Sequence, residues 1–427
     1  MKWTRLILLP AVLCASSASS QSPSPAWPQW GGPTRDFRAP AVRLAASWPA
    51  AGPKALWSRD LGDGYSAIVT DGDTLFTMYR PPKGVLGAMT SKFTGADPEA
   101  VIALDAATGR TRWEHPYEAP AQKGMDMEYG PGPHATPLIA GDLVFAVGTT
   151  GRLVALEKAT GKQRWAQELW SGLGGTVQGR GYSCSPLAYG ENVLVTVGGK
   201  GQAVVAFRQR DGQIAWKAGD LELSPSSLMA INLDGQDQLL MFHANGIAGL
   251  DPANGALLWD HPHKTDWGLN IALPIWGDDK LLFVSSAYSG GSRVLQLARA
   301  GGKTQVKELW FSNKLRIHHG NGMRIGDYVY GSSGDFGPSF LVAMNVRTGE
   351  LAWQERGLAK ATAVLADGKL VLLDEEGTLA LASVTPEKLT VLSKASVFQG
   401  RCWTAPTLAG TRLYLRDRAA IKAFDIG

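Results

Sequence analysis

The chain has 427 residues, of which 19% are charged, and its formal net charge is +4. It contains 51 glycines and 15 tryptophans, a composition that favours a turn-rich all-β protein over a helical or disordered one. The sequence has no run of basic residues and no basic helix, which excludes the electrostatic surface that a nucleic-acid partner requires.

The first twenty residues have the three parts of a secretory signal. Lys2 and Arg5 precede an apolar core from Leu6 to Leu13, and small residues with a cleavage site after Ala18 follow. We therefore predict a signal peptide over 1–20 and a secreted or periplasmic protein. No other segment reaches the roughly 20 apolar residues of a membrane helix, so no transmembrane segment is expected.

Cys14 raises the alternative of a lipid anchor. A lipoprotein signal places a small residue directly before the cysteine and usually Leu three residues before it, whereas Leu13 and Ala11 stand at those positions. Lipid anchoring is therefore the less favoured alternative.

Residues 21–53 are predicted to be a linker and an ordered extension. The linker is rich in Pro and Ser, and it leads into WPQWGGPTRDF, from Trp27 to Phe37. This segment has many turn formers and no strand alternation, so we expect it to lie on the fold with its tryptophans as anchors.

Residues 54–427 are built on a repeat, of which VIALDAATGRTRW, Val101 to Trp113, is the clearest copy. Variants of it recur along the chain, and each ends in a tryptophan. The repeat tryptophans are Trp57, Trp113, Trp165, Trp216, Trp259, Trp310 and Trp353. We predict that these large rings pack between adjacent units and are structural docking residues.

A glycine turn before a short apolar strand counts the units independently. It occurs eight times, at Gly72, Gly141, Gly190, Gly235, Gly277, Gly326, Gly368 and Gly410. Most units have the roughly 40 to 45 residues and the four strands of a propeller blade. The first interval is longer because of a Gly- and Pro-rich insertion, Pro81 to Glu99, which we interpret as a loop.

The last unit stops at IKAFDIG, residues 421–427, before its fourth strand. The segment KALWSRD, residues 54–60, has the pattern of that missing strand. We therefore predict an all-β protein, an eight-bladed β-propeller of four-stranded antiparallel blades, whose ring is closed by an N-terminal strand that completes the last blade. We expect a monomer.

The repeat pattern, with Ala103, Asp105, Thr108, Gly109 and Trp113, resembles the tryptophan-docking repeat of pyrroloquinoline-quinone (PQQ) propellers. That family includes quinoprotein dehydrogenases and the propeller subunit of the outer-membrane β-barrel assembly machine. The WPQW opening is similar to a secreted bacterial subset of PQQ-like propellers of mostly unassigned function. The resemblance covers roughly 27–427 and is specific for the fold rather than for an activity.

The resemblance to quinoprotein dehydrogenases implies PQQ with calcium as a cofactor, but the sequence departs from their pattern. The pair of adjacent cysteines that typically covers PQQ is absent, as is a C-x-x-C-H motif for covalent haem. We therefore predict no cofactor and no metal, and keep a PQQ-dependent oxidoreductase as the alternative.

The mouth of the channel is the candidate ligand site. Seven residues before the turn glycine, five units carry polar or aromatic residues, whereas pure packing favours small or branched ones; these are Tyr65, His134, Ser183, His319 and Trp403. The first strand of a propeller blade lines the channel, so we expect these side chains to meet at one opening. Glu128, Asn270, Asn321 and Arg401 lie close enough in sequence to join them.

The same register places Cys184 and Cys402 at the starts of the third and eighth units. Those units are not neighbours in the ring, and a disulfide requires Cα atoms within about 7 Å. We therefore predict two free thiols.

Taken together, the residues predict a non-catalytic, exported binding or scaffold module. Its partner is expected to be a protein of the cell envelope or a small ligand, bound at the channel mouth or by the loops, which carry variation on a rigid scaffold. A carbohydrate or peptide ligand in the same pocket is a further alternative.

Overall fold

A computed structural model describes residues 26–39, 42–81, 98–126, 128–130 and 132–427. These residues form eight four-stranded antiparallel sheets, the blades of a propeller. The predicted fold class is therefore confirmed. The predicted signal peptide at 1–20 lies outside the described residues, and across the described ranges no helix has the length and apolar character to cross a membrane.

The first strand of each blade lies beside the channel and the fourth lies at the outer edge. The first four blades consist of β2 (Val69–Thr70), β3 (Thr74–Tyr79), β4 (Pro98–Asp105) and β5 (Thr111–Glu118); β6 (Leu138–Ala140), β7 (Leu143–Val147), β8 (Arg152–Glu157) and β9 (Gln163–Glu168); β10 (Leu187–Tyr189), β11 (Asn192–Thr196), β12 (Val204–Arg208) and β13 (Ile214–Ala218); and β14 (Met229–Leu233), β15 (Gln236–His243), β16 (Gly246–Leu250) and β17 (Leu257–Pro262).

The other four blades have the same order, except that the eighth takes its outer strand from the start of the propeller. They consist of β18 (Ile275–Trp276), β19 (Leu281–Ser286), β20 (Gly291–Ala300) and β21 (Lys303–Ser312); β22 (Met323–Ile325), β23 (Tyr328–Ser333), β24 (Phe340–Asn345) and β25 (Leu351–Arg356); β26 (Thr362–Ala366), β27 (Lys369–Leu373), β28 (Thr378–Val384) and β29 (Leu389–Ser396); and β30 (Thr407–Ala409), β31 (Arg412–Arg416), β32 (Ala420–Asp425) and β1 (Lys54–Asp60).

All eight predicted glycine turns lie between the first and second strands of a blade. Gly141, for example, joins β6 to β7 with a φ of 57°, a left-handed conformation that glycine adopts without a steric cost. The middle strands are almost entirely buried, so the apolar alternation around these turns reflects packing of one blade against the next.

The ring closes as the sequence predicts, because β1 pairs antiparallel with β32 from Lys54 opposite Asp425 to Asp60 opposite Ala420. A buried guanidinium crosses the same boundary. Arg416 on β31 donates to the carbonyl oxygens of Met78 at 2.7 Å and Ser66 at 3.2 Å, both in the first blade. The last blade is thus tied to the first by a strand pair and by side-chain hydrogen bonds.

Five repeat tryptophans donate their indole N–H to a backbone carbonyl oxygen of the following blade. The bonds, 2.7 to 3.1 Å long, are made by Trp57, Trp113, Trp165, Trp310 and Trp353. Trp113, for instance, bonds to Lys158 at 2.9 Å and lies against Gly161, where an added Cβ would come within 2.5 Å of the ring.

Two repeat tryptophans differ. Trp216 packs its ring against Gly255 of the next blade. Trp259 donates instead to Oε1 of Gln238 in its own blade, at 2.7 Å. In the fifth blade, which follows it, β20 and β21 are joined by a two-residue turn, Gly301 and Gly302. The Trp259 ring still packs in a cluster with Leu282 and Leu295 of the fifth blade.

The segment Trp27 to Arg38 crosses one end of the channel. Trp27 exchanges two backbone hydrogen bonds with Thr70 in the first blade. Near the other end of the segment, Arg38 forms a bridge with Leu365 in the seventh blade. Between them, the buried Arg35 donates to the Pro186 carbonyl oxygen at 3.0 Å in the third blade. We call residues 27–38 the plug, because they contact inner strands on opposite sides of the ring.

The insertion is shorter than the sequence indicated, since Pro98 and Glu99 already belong to β4. Residues 82–97 lie outside the described part of the chain. Cys184 and Cys402 are both buried and free, as predicted.

Candidate functional site

The inner strands begin around a cavity of about 1360 Å³ at the channel end opposite the plug. The connections that enter the blades place their side chains there, because each one descends from the outer edge of one blade to the inner strand of the next. We call this space the mouth cavity. Seven of the nine candidate ligand-binding residues line it, namely Tyr65, His134, Ser183, His319, Asn321, Arg401 and Trp403.

The plug forms the floor of the mouth cavity. Trp30 and Phe37 both line it, and their rings meet edge to face with centroids 5.1 Å apart. Phe37 is held in place from below, since its backbone bonds to both Leu365 and Gly31. The channel is therefore a cup rather than an open pore.

One side of the cup carries a continuous series of ring contacts, the aromatic arc. Neighbouring centroids along it lie 4.6 to 5.7 Å apart, within the range of favourable aromatic pairs. Its members are His134, Tyr65, Trp403, His319, His318, Tyr288, Trp267 and Phe336. Because these residues come from blades 1, 2, 5, 6 and 8 and the loops between them, the arc exists only in the closed ring.

The aromatic arc ends in rings that face solvent at the rim. Phe336 is 75% exposed and Trp267 is 61% exposed, and Tyr129 nearby is 40% exposed. Trp267 and Phe336 meet edge to face at 6.0 Å. Three exposed aromatic rings around one cavity form an apolar rim, a feature that typically marks a binding site on a soluble protein.

The three histidines of the arc, His134, His318 and His319, are the mouth histidines. Burial lowers the pKa of His134 and of His318 to about 4. Burial holds the pKa of His319 well below its ordinary value, and repulsion from the neighbouring His318 ring, once that ring is protonated, lowers it further. All three are therefore neutral at pH 7, and each ring offers one donor and one acceptor nitrogen.

Several of these nitrogens lack a protein partner. Within the described residues, neither ring nitrogen of His319 has a hydrogen-bond partner, and the same holds for Nε2 of His134 and Nδ1 of His318. Nε2 of His318, by contrast, bonds to the Tyr288 hydroxyl at 2.5 Å. Buried polar atoms are normally hydrogen-bonded, so these shielded nitrogens are polar atoms of the cavity wall that no protein group among the described residues satisfies.

Two pairs of opposite charges at the mouth neutralise one another. Arg180 pairs with Asp126 at 2.7 Å, and Lys360 pairs with Glu375 at 3.4 Å. The Glu375 carboxylate also accepts the indole N–H of Trp403 at 3.0 Å.

Arg401 differs from these paired cations. Its guanidinium carbon lies 4.6 Å from the centroid of the Trp403 ring, a cation–π contact at the rim.

Two candidates lie outside the cavity lining. Asn270 is fully buried, where its amide donates to the carbonyl oxygens of His243 and His263 and accepts from the Ser286 hydroxyl. Glu128 is exposed and its carboxylate lies 3.6 Å from Arg180. Proximity in sequence to the inner strand was thus a weaker guide than position in the repeat.

Sequence reasoning missed three aromatic residues of the arc, Trp267, Tyr288 and Phe336. The last two lie between the second and third strands of their blades, and these loops reach the same face as the entry connections. Exposed aromatic residues in those loops would have been the signal. The plug residues Trp30 and Phe37 were expected to anchor the extension, but their place in the cavity floor was not foreseen.

The residues present do not fit a PQQ–calcium site. A flat quinone would need a free aromatic face, but the Trp403 ring already contacts Tyr65 at 5.3 Å and His319 at 4.6 Å and is covered by the Arg401 guanidinium. Over the part of the chain that the structure describes, no three His, Cys, Asp or Glu side chains come together as a set of metal ligands.

Comparison with known proteins identifies the family. Residues 97–355 match the family model described as outer membrane protein assembly factor BamB. The BamB of Yersinia pestis is 22% identical over 246 residues, and the match covers 54% of this chain and 55% of that protein. The chain thus aligns with about half the length of this curated relative.

Solved structures share the fold. BamB from Moraxella catarrhalis is 20% identical with a TM-score of 0.57, over 88% of this chain and 98% of that one. Quinohemoprotein alcohol dehydrogenase from Comamonas testosteroni is 14% identical with a TM-score of 0.62, over 96% and 82% of the two chains. At such identities the likeness concerns the fold alone. On the match of its family model, the chain belongs to the BamB-like family of PQQ-like β-propellers.

Proposed function

We propose that this protein is a non-catalytic binding module of the cell envelope whose ligand occupies the mouth cavity. The observation that carries the proposal is the cup itself, about 1360 Å³ in volume, closed at its floor and lined by aromatic and polar side chains that the repeat does not require. Ligand pockets are typically concave, largely apolar and supplied with a few convergent polar groups. The mouth cavity has each of these properties.

The hydrogen bonding of the cavity supports a binding role over catalysis. The Ser183 hydroxyl donates to the carbonyl oxygen of Gly181 at 3.2 Å and not to a histidine. Nucleophilic catalysis requires a nucleophile within hydrogen-bond reach of a base, and no serine or cysteine among the described lining residues is bonded to a mouth histidine. A PQQ-dependent oxidoreductase is the less supported alternative, because Trp403 is already covered.

Two observations support a place in the cell envelope. Residues 1–20 have the composition of an export signal, and the family model is named for an outer-membrane protein assembly factor. A protein partner in the envelope therefore accompanies the proposed ligand site, and the exposed rim is the surface that would contact it.

The proposal is tested by filling the mouth cavity. Ser183→Trp places a large side chain in the lining, whereas Gln305→Trp adds the same side chain on the exposed outer strand β21. Fractions of an envelope extract are scanned for an increase in the Tm of the wild-type protein. A ligand at 100 times its Kd stabilises the folded state by about 2.7 kcal/mol.

We expect at least one fraction to raise the Tm of the wild type and of Gln305→Trp but not that of Ser183→Trp. A fraction that raises the Tm of all three proteins equally would place the ligand elsewhere and refute the proposal. Calorimetric titration with PQQ and Ca²⁺ separates the alternative, since binding at micromolar cofactor would favour the oxidoreductase.

A further inference from the structure

We propose that the mouth cavity binds a neutral oligosaccharide, with pyranose rings stacked on the exposed rim aromatics and hydroxyl groups bonded to the neutral mouth histidines. The inference rests on the proposed function and names the ligand class of the same site.

The rim supplies the stacking surfaces. Trp267 and Phe336 are 61% and 75% exposed although each contacts Tyr288. Tyr288 is held in turn by its hydrogen bond to His318, so the two outer rings rest on a fixed inner residue. The C–H face of a pyranose is apolar, and burying it against an aromatic ring is favourable for the same reason as other apolar burial.

The interior supplies the hydrogen-bond partners. A sugar hydroxyl both donates and accepts, as does a neutral imidazole. His319 has two shielded ring nitrogens without a hydrogen-bond partner among the described residues. At the other end of the arc, Nε2 of His134 is also shielded and without a partner among them. Burial keeps the pKa of His134 at about 4, so the imidazole remains able to accept at neutral pH.

The charge of the lining argues against an acidic polymer. Asp126, Glu222, Asp335, Glu375 and Glu376 line the cavity, against only Arg180, Lys360 and Arg401 among the strong bases. Two of those three bases are paired with acids. The cup is therefore not electropositive, and a polyanion would gain little from it.

The strands argue against an extended peptide. Peptides that bind by strand addition need an exposed edge along which main-chain hydrogen bonds form, whereas the strands beside the channel are only two to five residues long. The cavity volume of about 1360 Å³ exceeds the roughly 300–1,000 Å³ of small-molecule pockets. Several sugar units fit this space better than a single one.

The experiment uses cellohexaose and maltohexaose as probes in calorimetric titrations of the full chain. We expect one or both to bind, and we expect Trp267→Ala and Phe336→Ala each to weaken that binding about tenfold, the effect of losing one aromatic stacking contact. Phe311→Ala is the matched control, because Phe311 is equally an exposed phenylalanine, 46% exposed, on the outer strand β21. An unchanged Tm shows that each variant is folded.

Lack of binding of both sugars at millimolar concentration would overturn the inference, as would binding that neither rim substitution weakens. Binding of a short unfolded peptide in place of the sugars would also overturn it. These outcomes leave the proposed function untouched, because a different result would refute it: an envelope fraction that raises the Tm of Ser183→Trp as much as that of the wild type.

Discussion

Replacing one glycine of a docking turn would measure how much the repeat tryptophans contribute to stability. Gly161 has a φ of 71°, and a Cβ at this position would lie 2.5 Å from Cε3 and 2.6 Å from Cδ2 of Trp113. Gly141 in the same blade also has a positive φ, 57°, but a Cβ there would meet nothing within 4 Å. Gly141→Ala is therefore the matched control for Gly161→Ala.

The two substitutions share a backbone cost and differ in packing. Placing alanine in the left-handed region costs about 1 kcal/mol at either position. At Gly161 the new methyl group also displaces a docked ring whose N–H bonds to Lys158 at 2.9 Å. Overpacking of this kind costs about 1–3 kcal/mol. We thus expect Gly161→Ala to lower the free energy of unfolding by about 2–4 kcal/mol and Gly141→Ala by about 1 kcal/mol.

Urea unfolding followed by tryptophan fluorescence and by circular dichroism measures both losses. A double-mutant cycle isolates the contact, because in a Trp113→Ala background the clash is gone and Gly161→Ala should cost only the backbone term. Equal losses for Gly141→Ala and Gly161→Ala, or additivity in the cycle, would refute the docking of Trp113 on Gly161.

Three further predictions concern buried groups. Burial raises the pKa of Cys184 to about 11 and that of Cys402 to about 12. Both thiols should therefore resist a thiol reagent in the native protein and react with it in denaturant. Rapid labelling of either thiol in the native protein would contradict this. Arg416→Met should lower the free energy of unfolding by about 2–4 kcal/mol, because it leaves buried carbonyl oxygens of the first blade unpaired. Arg416→Lys should restore little of this stability, since a single ammonium group cannot reach all of these oxygens. The midpoints of urea unfolding of the two variants measure both effects. The folded state holds the pKa of the mouth histidines below their ordinary value near 6.5, so the unfolded chain takes up more protons and stability should fall as pH drops from about 6.5 to about 4. His134→Gln should reduce that slope, and an unchanged slope would show that the ring titrates freely.

The fold was predictable because its periodic signals have local causes. Seven of the eight turn glycines, Gly141 among them, have a positive φ, which glycine adopts without steric cost. The incomplete last unit at 421–427 lacked a fourth strand, and 54–60 has the pattern of that strand. The sequence also placed Tyr65, His134 and Trp403 correctly at the mouth, since position within a blade determines position in the ring.

The parts that sequence could not predict depend on non-repeating segments. Asn270 lies beside an inner strand, but its amide is used by the backbone of the loops around it. Tyr288 and Phe336 belong to loops between the second and third strands, and the lengths of these loops vary from blade to blade. Counting from the turn glycine therefore does not place these residues at the mouth. The plug has no strand periodicity, and its path over the channel follows from contacts with blades far away in sequence.

The plug links the closure of the fold to the chemistry of the mouth. A propeller that is joined only by its strands leaves a channel open at both ends, through which water would reach both faces of a ligand. Here Trp30 and Phe37 close the far end, and the aromatic arc covers much of the wall. A molecule in the cup would be shielded on the floor side by Trp30 and Phe37, and less polar surroundings strengthen hydrogen bonds such as those proposed to the mouth histidines. The plug, which is not part of the repeat, thus forms the floor of the proposed binding site.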